Sequence, residues 1–85
     1  MHVRLHPHTL VRMRERDANE HEVLTTVESG ERFPAPWGRT GFRKRFRATA
    51  GRRAREVTTY ALERDDAWLV ITVVVTSATR KRRPT

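Results

Sequence analysis

The chain has 85 residues, a formal net charge of +8, a sequence pI near 11.5 and no cysteine. That length holds one domain, and the missing cysteine excludes a disulfide scaffold, a thiolate metal site and a cysteine nucleophile. No apolar run approaches the ~18 residues of a membrane span, and the His-rich start does not read as a secretory signal, so a cytoplasmic protein is expected.

Met1 to Leu5 is short and suits an edge strand. Pro7 reads as the first residue of a helix, because its fixed φ fits and its missing N–H is not needed there. Leu10 and Met13 follow at helical spacing to about Arg16, with Val11 widening the apolar stripe. Asp17-Ala18 breaks the pattern. Asn19 opens a second helix, with Glu22 at capping-box distance and Val23, Leu24 and Val27 as its apolar side. Gly30 reads as a left-handed C-cap.

Pro34 and Pro36 then impose an extended edge segment. A strand is predicted from about Gly41 to Ala48, with Phe42, Lys44 and Phe46 on one face and Arg43, Arg45 and Arg47 on the other. Glu56 to Glu63 is a second strand, and Arg64-Asp65-Asp66-Ala67 is a hairpin connection. Trp68 to Thr76 is the strongest strand. Strict alternation groups Leu69, Ile71, Val73 and Val75 on one face. The expected fold is α+β, with two N-terminal helices on one face of a three- or four-stranded antiparallel sheet over residues 1–76. Residues 77–85 are expected to form a basic, flexible tail.

The charge is segregated. Arg32 to Arg55 carries nine basic residues and no acid, and Arg80 to Arg83 carries four more. The remainder has five basic and ten acidic residues, a net of −5. A field arranged in this way attracts polyanions, of which nucleic acid is the commonest. The bias to Arg, sixteen against two Lys, has a blander source in genome composition. Arg39, Arg43, Lys44, Arg45 and Arg47, interleaved with Trp37, Phe42 and Phe46, fit phosphate contacts beside stacking platforms. The alternative is that both Phe residues are core and the Arg residues a solvated face.

His8 falls in the first turn of the first helix, with Arg12 and Arg16 four and eight residues later on the same side. A neutral imidazole beside guanidiniums suits a base acting on a ribose 2′-hydroxyl, with Arg steadying the phosphorane. The alternative is that His8 stabilises the helix start and Arg16 pairs with an acid of the second helix, such as Glu20. Tyr60 and Thr72 sit mid-strand, as hydrogen-bond donors to a cleft or as sheet packing. His2, His6 and His8 are close in sequence, but i and i+2 diverge on a helix, so no metal and no cofactor are expected. His21 lies on a polar helix face.

The run His6-Pro7-His8-Thr9-Leu10-Val11-Arg12-Met13-Arg14-Glu15-Arg16 resembles the opening of a small prokaryotic domain-of-unknown-function family, the one numbered 4258. Gly30-Glu31, Gly38-Arg39-Thr40-Gly41-Phe42-Arg43 and Leu69-Val70-Ile71-Thr72-Val73 continue the resemblance in order. It departs at Asp17, where the family has Gly; Asp tolerates the left-handed region, so the turn is expected to survive. It departs again over Ala48 to Ala54, where the family carries an aromatic-containing segment. The family is grouped with RelE-like and BrnT-like toxins, which have a helix-helix-then-sheet fold and include metal-independent ribonucleases. The resemblance therefore implies an RNA-binding toxin of a toxin–antitoxin pair, an endoribonuclease if His8, Arg12 and Arg16 act as above. RNA and an acidic antitoxin-like protein are the implied partners. A non-catalytic module binding nucleic acid or an acidic protein is the alternative.

Overall fold

Seven elements run in the order β1 (His2–Leu5), α1 (Pro7–Glu15), α2 (Glu20–Ser29), β2 (Glu31–Pro34), β3 (Thr40–Phe46), β4 (Arg55–Arg64) and β5 (Ala67–Ser77) in a computed structural model that describes residues 2–51 and 53–77. The strands form one five-stranded sheet in the order β1-β5-β4-β3-β2. The protein is α+β with two helices, but the sheet is larger than expected and mixed. Strands β2 to β5 are antiparallel, while β1 pairs with β5 in parallel, His2 opposite Ala67 and Leu5 opposite Val70. A parallel partner must be reached by a long crossover, which local sequence does not announce. The basic run Arg80–Arg83 lies outside the described residues.

Helix α1 packs on β5, and α2 packs on β4 and β3. The N-cap of α1 is His6, whose Nδ1 accepts the His8 backbone N–H at 3.0 Å. The Val70 carbonyl accepts both the His6 N–H, at 3.0 Å, and the buried Thr9 hydroxyl, at 2.6 Å. Thr9 and Met13 are thus the buried residues of α1, while Leu10 and Val11 lie exposed, contrary to the expected stripe. The capping box of α2 is formed as expected, Asn19 with Glu22. Asp17 takes the left-handed φ of +57°.

Gly30 caps α2 for a different reason than expected. Its φ of −77° is ordinary extended backbone. A Cβ there would lie 2.4 Å from the Thr26 carbonyl oxygen and 2.8 Å from that of Arg43. Close approach of helix end and strand, not handedness, requires glycine.

The core joins Met13, Ala18, Val23 and Val27 to Phe42, Val57, Ala61, Trp68, Val70 and Val73. Strict alternation along β5 fails at a β-bulge. Pairing passes from Tyr60–Thr72 to Ala61–Val70 and leaves Ile71 without a partner. The extra residue shifts the alternation by one. Trp68 and Val70 before it, and Val73 and Val75 after it, consequently share the core side. Between β4 and β5 the two-residue turn has Asp65 and Asp66 at φ +50° and +60°, the primed geometry that matches strand twist.

Arg55, at the start of β4, ties the helices to the sheet. Its guanidinium donates to the Glu22 carboxylate at 3.1 Å and to the Asp17 backbone carbonyl, and lies 3.7 Å from the Asp17 carboxylate. The Arg55 and Glu22 side chains are only 11% and 9% exposed. Removing one partner of such a pair strands the other away from water. Arg55→Ala is therefore expected to cost about 3 kcal/mol of folding stability, measured by urea unfolding.

Candidate nucleic-acid interface

The helices cover one side of the sheet, and register assigns the other side. Phe33, Gly41 and Tyr60 form one row across β2, β3 and β4; Glu31, Arg43 and Thr58 form the next but one. The Phe33 ring lies over Gly41, where a Cβ would come within 2.3 Å of it. It meets Tyr60 edge-on at 6.2 Å, and the Arg43 guanidinium sits 5.0 Å from its centre. Phe33 and Tyr60 are thus the aromatics beside the Arg face. Phe42 is core, and Phe46 packs against the core, both away from it. Sequence reasoning passed over Phe33 because its partner, Gly41, is fixed only by strand pairing.

Strand pairing also changes the electrostatics of the acid-free segment. Glu31 and Glu56 flank it in sequence, and register lays them beside it. Arg43 pairs with Glu31 at 3.1 Å and Arg45 with Glu56 at 3.5 Å. Such exposed pairs are worth little to stability, typically under ~1 kcal/mol, but they lower the local field. Arg32 has a packing task, its guanidinium 4.8 Å from the Trp68 ring and 5.8 Å from the Phe42 ring. Arg55 is buried as described. Among the described residues of the segment, Arg39, Lys44, Arg47 and Arg53 carry no ion pair.

Three of those cations, Arg39, Lys44 and Arg47, follow β3, and Arg53 lies two residues before β4. Strand β2 covers β3 only from Thr40 to Arg43, so the outer edge of Lys44 to Phe46 lies beyond its partner. Lys44 lines a shallow groove there with Glu31, Arg43, Arg45 and Glu56. Arg47 and Arg53 line a second one against the start of α2, with Asn19, His21, Glu22, Phe46, Thr49 and Arg55. Arg47 lies just past the strand rather than within it. From Arg39 to Arg47 the chain reaches up to roughly 26 Å at strand rise.

Arg39 closes the β2–β3 hairpin. The Ala35 N–H donates to the Arg39 carbonyl at 3.0 Å, and the Arg39 N–H to the Pro36 carbonyl at 3.3 Å. Trp37 and Gly38 form the tip, with φ of +60° and +71°. A left-handed φ costs a bulky residue on the order of 1–3 kcal/mol. Trp37 is nonetheless 83% exposed, and the Arg39 guanidinium is 5.8 Å from its ring.

The α1 stripe is placed elsewhere. Helix α1 begins beside the β1–β5 edge, whereas Arg39 to Arg47 belong to the β2–β3 side of the sheet. His8 is exposed, its ring stacked on His6 at 5.2 Å. Arg12 pairs with Glu15 at 2.9 Å, and Arg16, the C-cap, turns to the same carboxylate at 3.9 Å. Arg16 therefore pairs within its own helix, not with Glu20. Tyr60 packs on the sheet, and His21 is exposed. Among the described residues no three His, Asp or Glu side chains gather, and no helix is long and apolar enough to cross a membrane.

No family model, curated protein or solved structure matches the chain.

The two histidines at the start of α1 separate by role. His6 supplies the cap through its side chain, whereas His8 contributes its backbone N–H. His6→Ala is expected to cost about 1 kcal/mol and His8→Ala under about 0.5, read from thermal unfolding.

Proposed function

We propose that this protein binds RNA along β3 and the open side of its sheet. The observation that carries the reading is the set of cations that carry no ion pair among the described residues, Arg39, Lys44 and Arg47 along β3 and Arg53 past its end, together with Arg43 beside the Phe33–Tyr60 pair on the open side. Guanidiniums supply planar contacts to phosphate, and aromatic faces accept bases of any sequence. Arg43 and Arg45 belong to the same surface and become available to phosphate by exchanging Glu31 and Glu56. RNA rather than DNA follows from the resemblance to the family grouped with RelE-like and BrnT-like toxins. That resemblance implies two helices followed by a sheet; here two helices precede four antiparallel strands, and β1 stands before them in sequence.

The reading is one of binding without cleavage at α1. Cleavage by the ribose 2′-hydroxyl needs positive charge at the developing phosphorane as well as a base. Near His8 the two candidate guanidiniums, Arg12 and Arg16, both turn to Glu15. RNA incubated with the protein in EDTA is expected to stay intact. Cleavage that disappears in His8→Ala would restore the ribonuclease reading.

Affinity for a single-stranded RNA is expected to fall with salt. Arg47→Gln with Arg53→Gln removes two phosphate contacts and flattens the logarithmic salt slope by about 1.4. Glu31→Gln, which releases Arg43, raises affinity several-fold. Wild-type affinity that does not respond to salt refutes the proposal.

A further inference from the structure

The indole of Trp37 has no use inside the fold. It sits at the first central position of a tight turn, at a φ of +60°, followed by Gly38 at +71°. Gly, Asn or Asp fills such a position with less strain. Burial does not compensate, because Trp37 is 83% exposed. Four of the other large aromatics make ring contacts within the sheet, Phe33 with Tyr60 and Phe42 with Trp68.

The tip that presents this indole is fixed. Pro34 and Pro36 restrict the approach, and two backbone hydrogen bonds close the loop between Ala35, Pro36 and Arg39. A platform ordered in advance loses little entropy on binding. Arg39 stands over the ring at 5.8 Å and has no ion pair. With a cation on one face and most of the surface open, the ring has a second face for a planar partner. A guanidinium beside it is within reach of an anion attached to that partner. A nucleotide is such a planar group bearing a phosphate, and it is the one that RNA binding supplies. In a duplex its base faces are already stacked, so the nucleotide must be unpaired.

We infer that Trp37 is a stacking platform for an unpaired nucleobase, with Arg39 engaging the adjoining phosphate. The hairpin tip thus makes the bound RNA single-stranded where it passes β2–β3. The inference rests on the RNA-binding reading and adds to it the site of base contact and the preference for unpaired strands.

Trp37→Asn in the full chain tests it, with oligouridylate and base-free inorganic polyphosphate as ligands. The variant is expected to unfold at the same temperature as wild type or higher, because Asn relieves the turn. Its affinity for oligouridylate falls by about five- to a hundredfold, the range for loss of one stacked base. Its affinity for polyphosphate is unchanged, and Trp37→Phe keeps most of the RNA affinity. In wild type, oligouridylate quenches indole emission and an RNA duplex does not; the buried Trp68 is the internal reference. Equal RNA affinity in Trp37→Asn overturns the inference while leaving RNA binding intact. So does equal loss for both ligands. An emission change with anionic phosphatidylglycerol vesicles and none with RNA assigns the tip to a membrane surface instead. Wild-type binding of neither RNA nor polyphosphate overturns this inference and the RNA-binding reading together.

Discussion

The placement of the helices on the sheet turns on one guanidinium. Arg55 leaves β4 at its first residue and reaches under the α1–α2 turn, where it holds the Asp17 carbonyl and the Glu22 carboxylate. Glu22 is already engaged, since its carboxylate accepts the Asn19 N–H of the capping box. One carboxylate therefore starts a helix and binds that helix to the sheet. Shielded from water, the pair is sensitive to loss of either member and specifies position more than it adds stability. With α2 fixed on β3 and β4, the Thr9 hydroxyl and His6 N–H fix α1 on β5 through a single carbonyl, that of Val70.

This attachment divides the sheet into two sides with different chemistry. Beneath the helices lies an aliphatic and aromatic core closed at its rim by Arg32 over Trp68. On the other side, Phe33 covers Gly41 and leans on Tyr60, with Arg43 above. Glycine in a strand leaves backbone open to a neighbouring ring. Here the cross-strand ring fills that space. The bulge at Ile71 keeps both halves of β5 facing the core despite the extra residue.

The same register redistributes the charge. In sequence the segment from Arg32 to Arg55 has no acid; in space two flanking acids lie across from two of its arginines. A third arginine packs on aromatics and a fourth is buried. What is left for a polyanion is smaller than the composition suggests, but it is ordered along one strand and ends at an exposed indole. The uncovered outer edge of Lys44 to Phe46 has its own reason for cations, since charged side chains discourage pairing with another chain. Edge protection and phosphate contact are compatible uses of the same residues.

The features legible in the residues alone are the local ones. Pro7, the Asn19–Glu22 box and the left-handed Asp17 depend on backbone preferences within a few residues, and each is found where the sequence places it; the four-residue connection expected at Arg64 to Ala67 tightens to Asp65-Asp66, because Arg64 and Ala67 pair as strand residues. The alternation of β3 likewise separates Phe42 and Phe46 from Arg43 and Arg45. Pairings across the chain were not legible. The parallel β1, the bulge at Ile71, the close packing at Gly30 and the neighbours of Arg43, Arg45 and Arg55 all depend on which backbone lies alongside. The opening charge of +8 is thus a property of the sequence, while its effective surface is a property of the fold. Composition counts charges, and only tertiary structure sets the distances over which Coulomb attraction pairs them or leaves them unpaired.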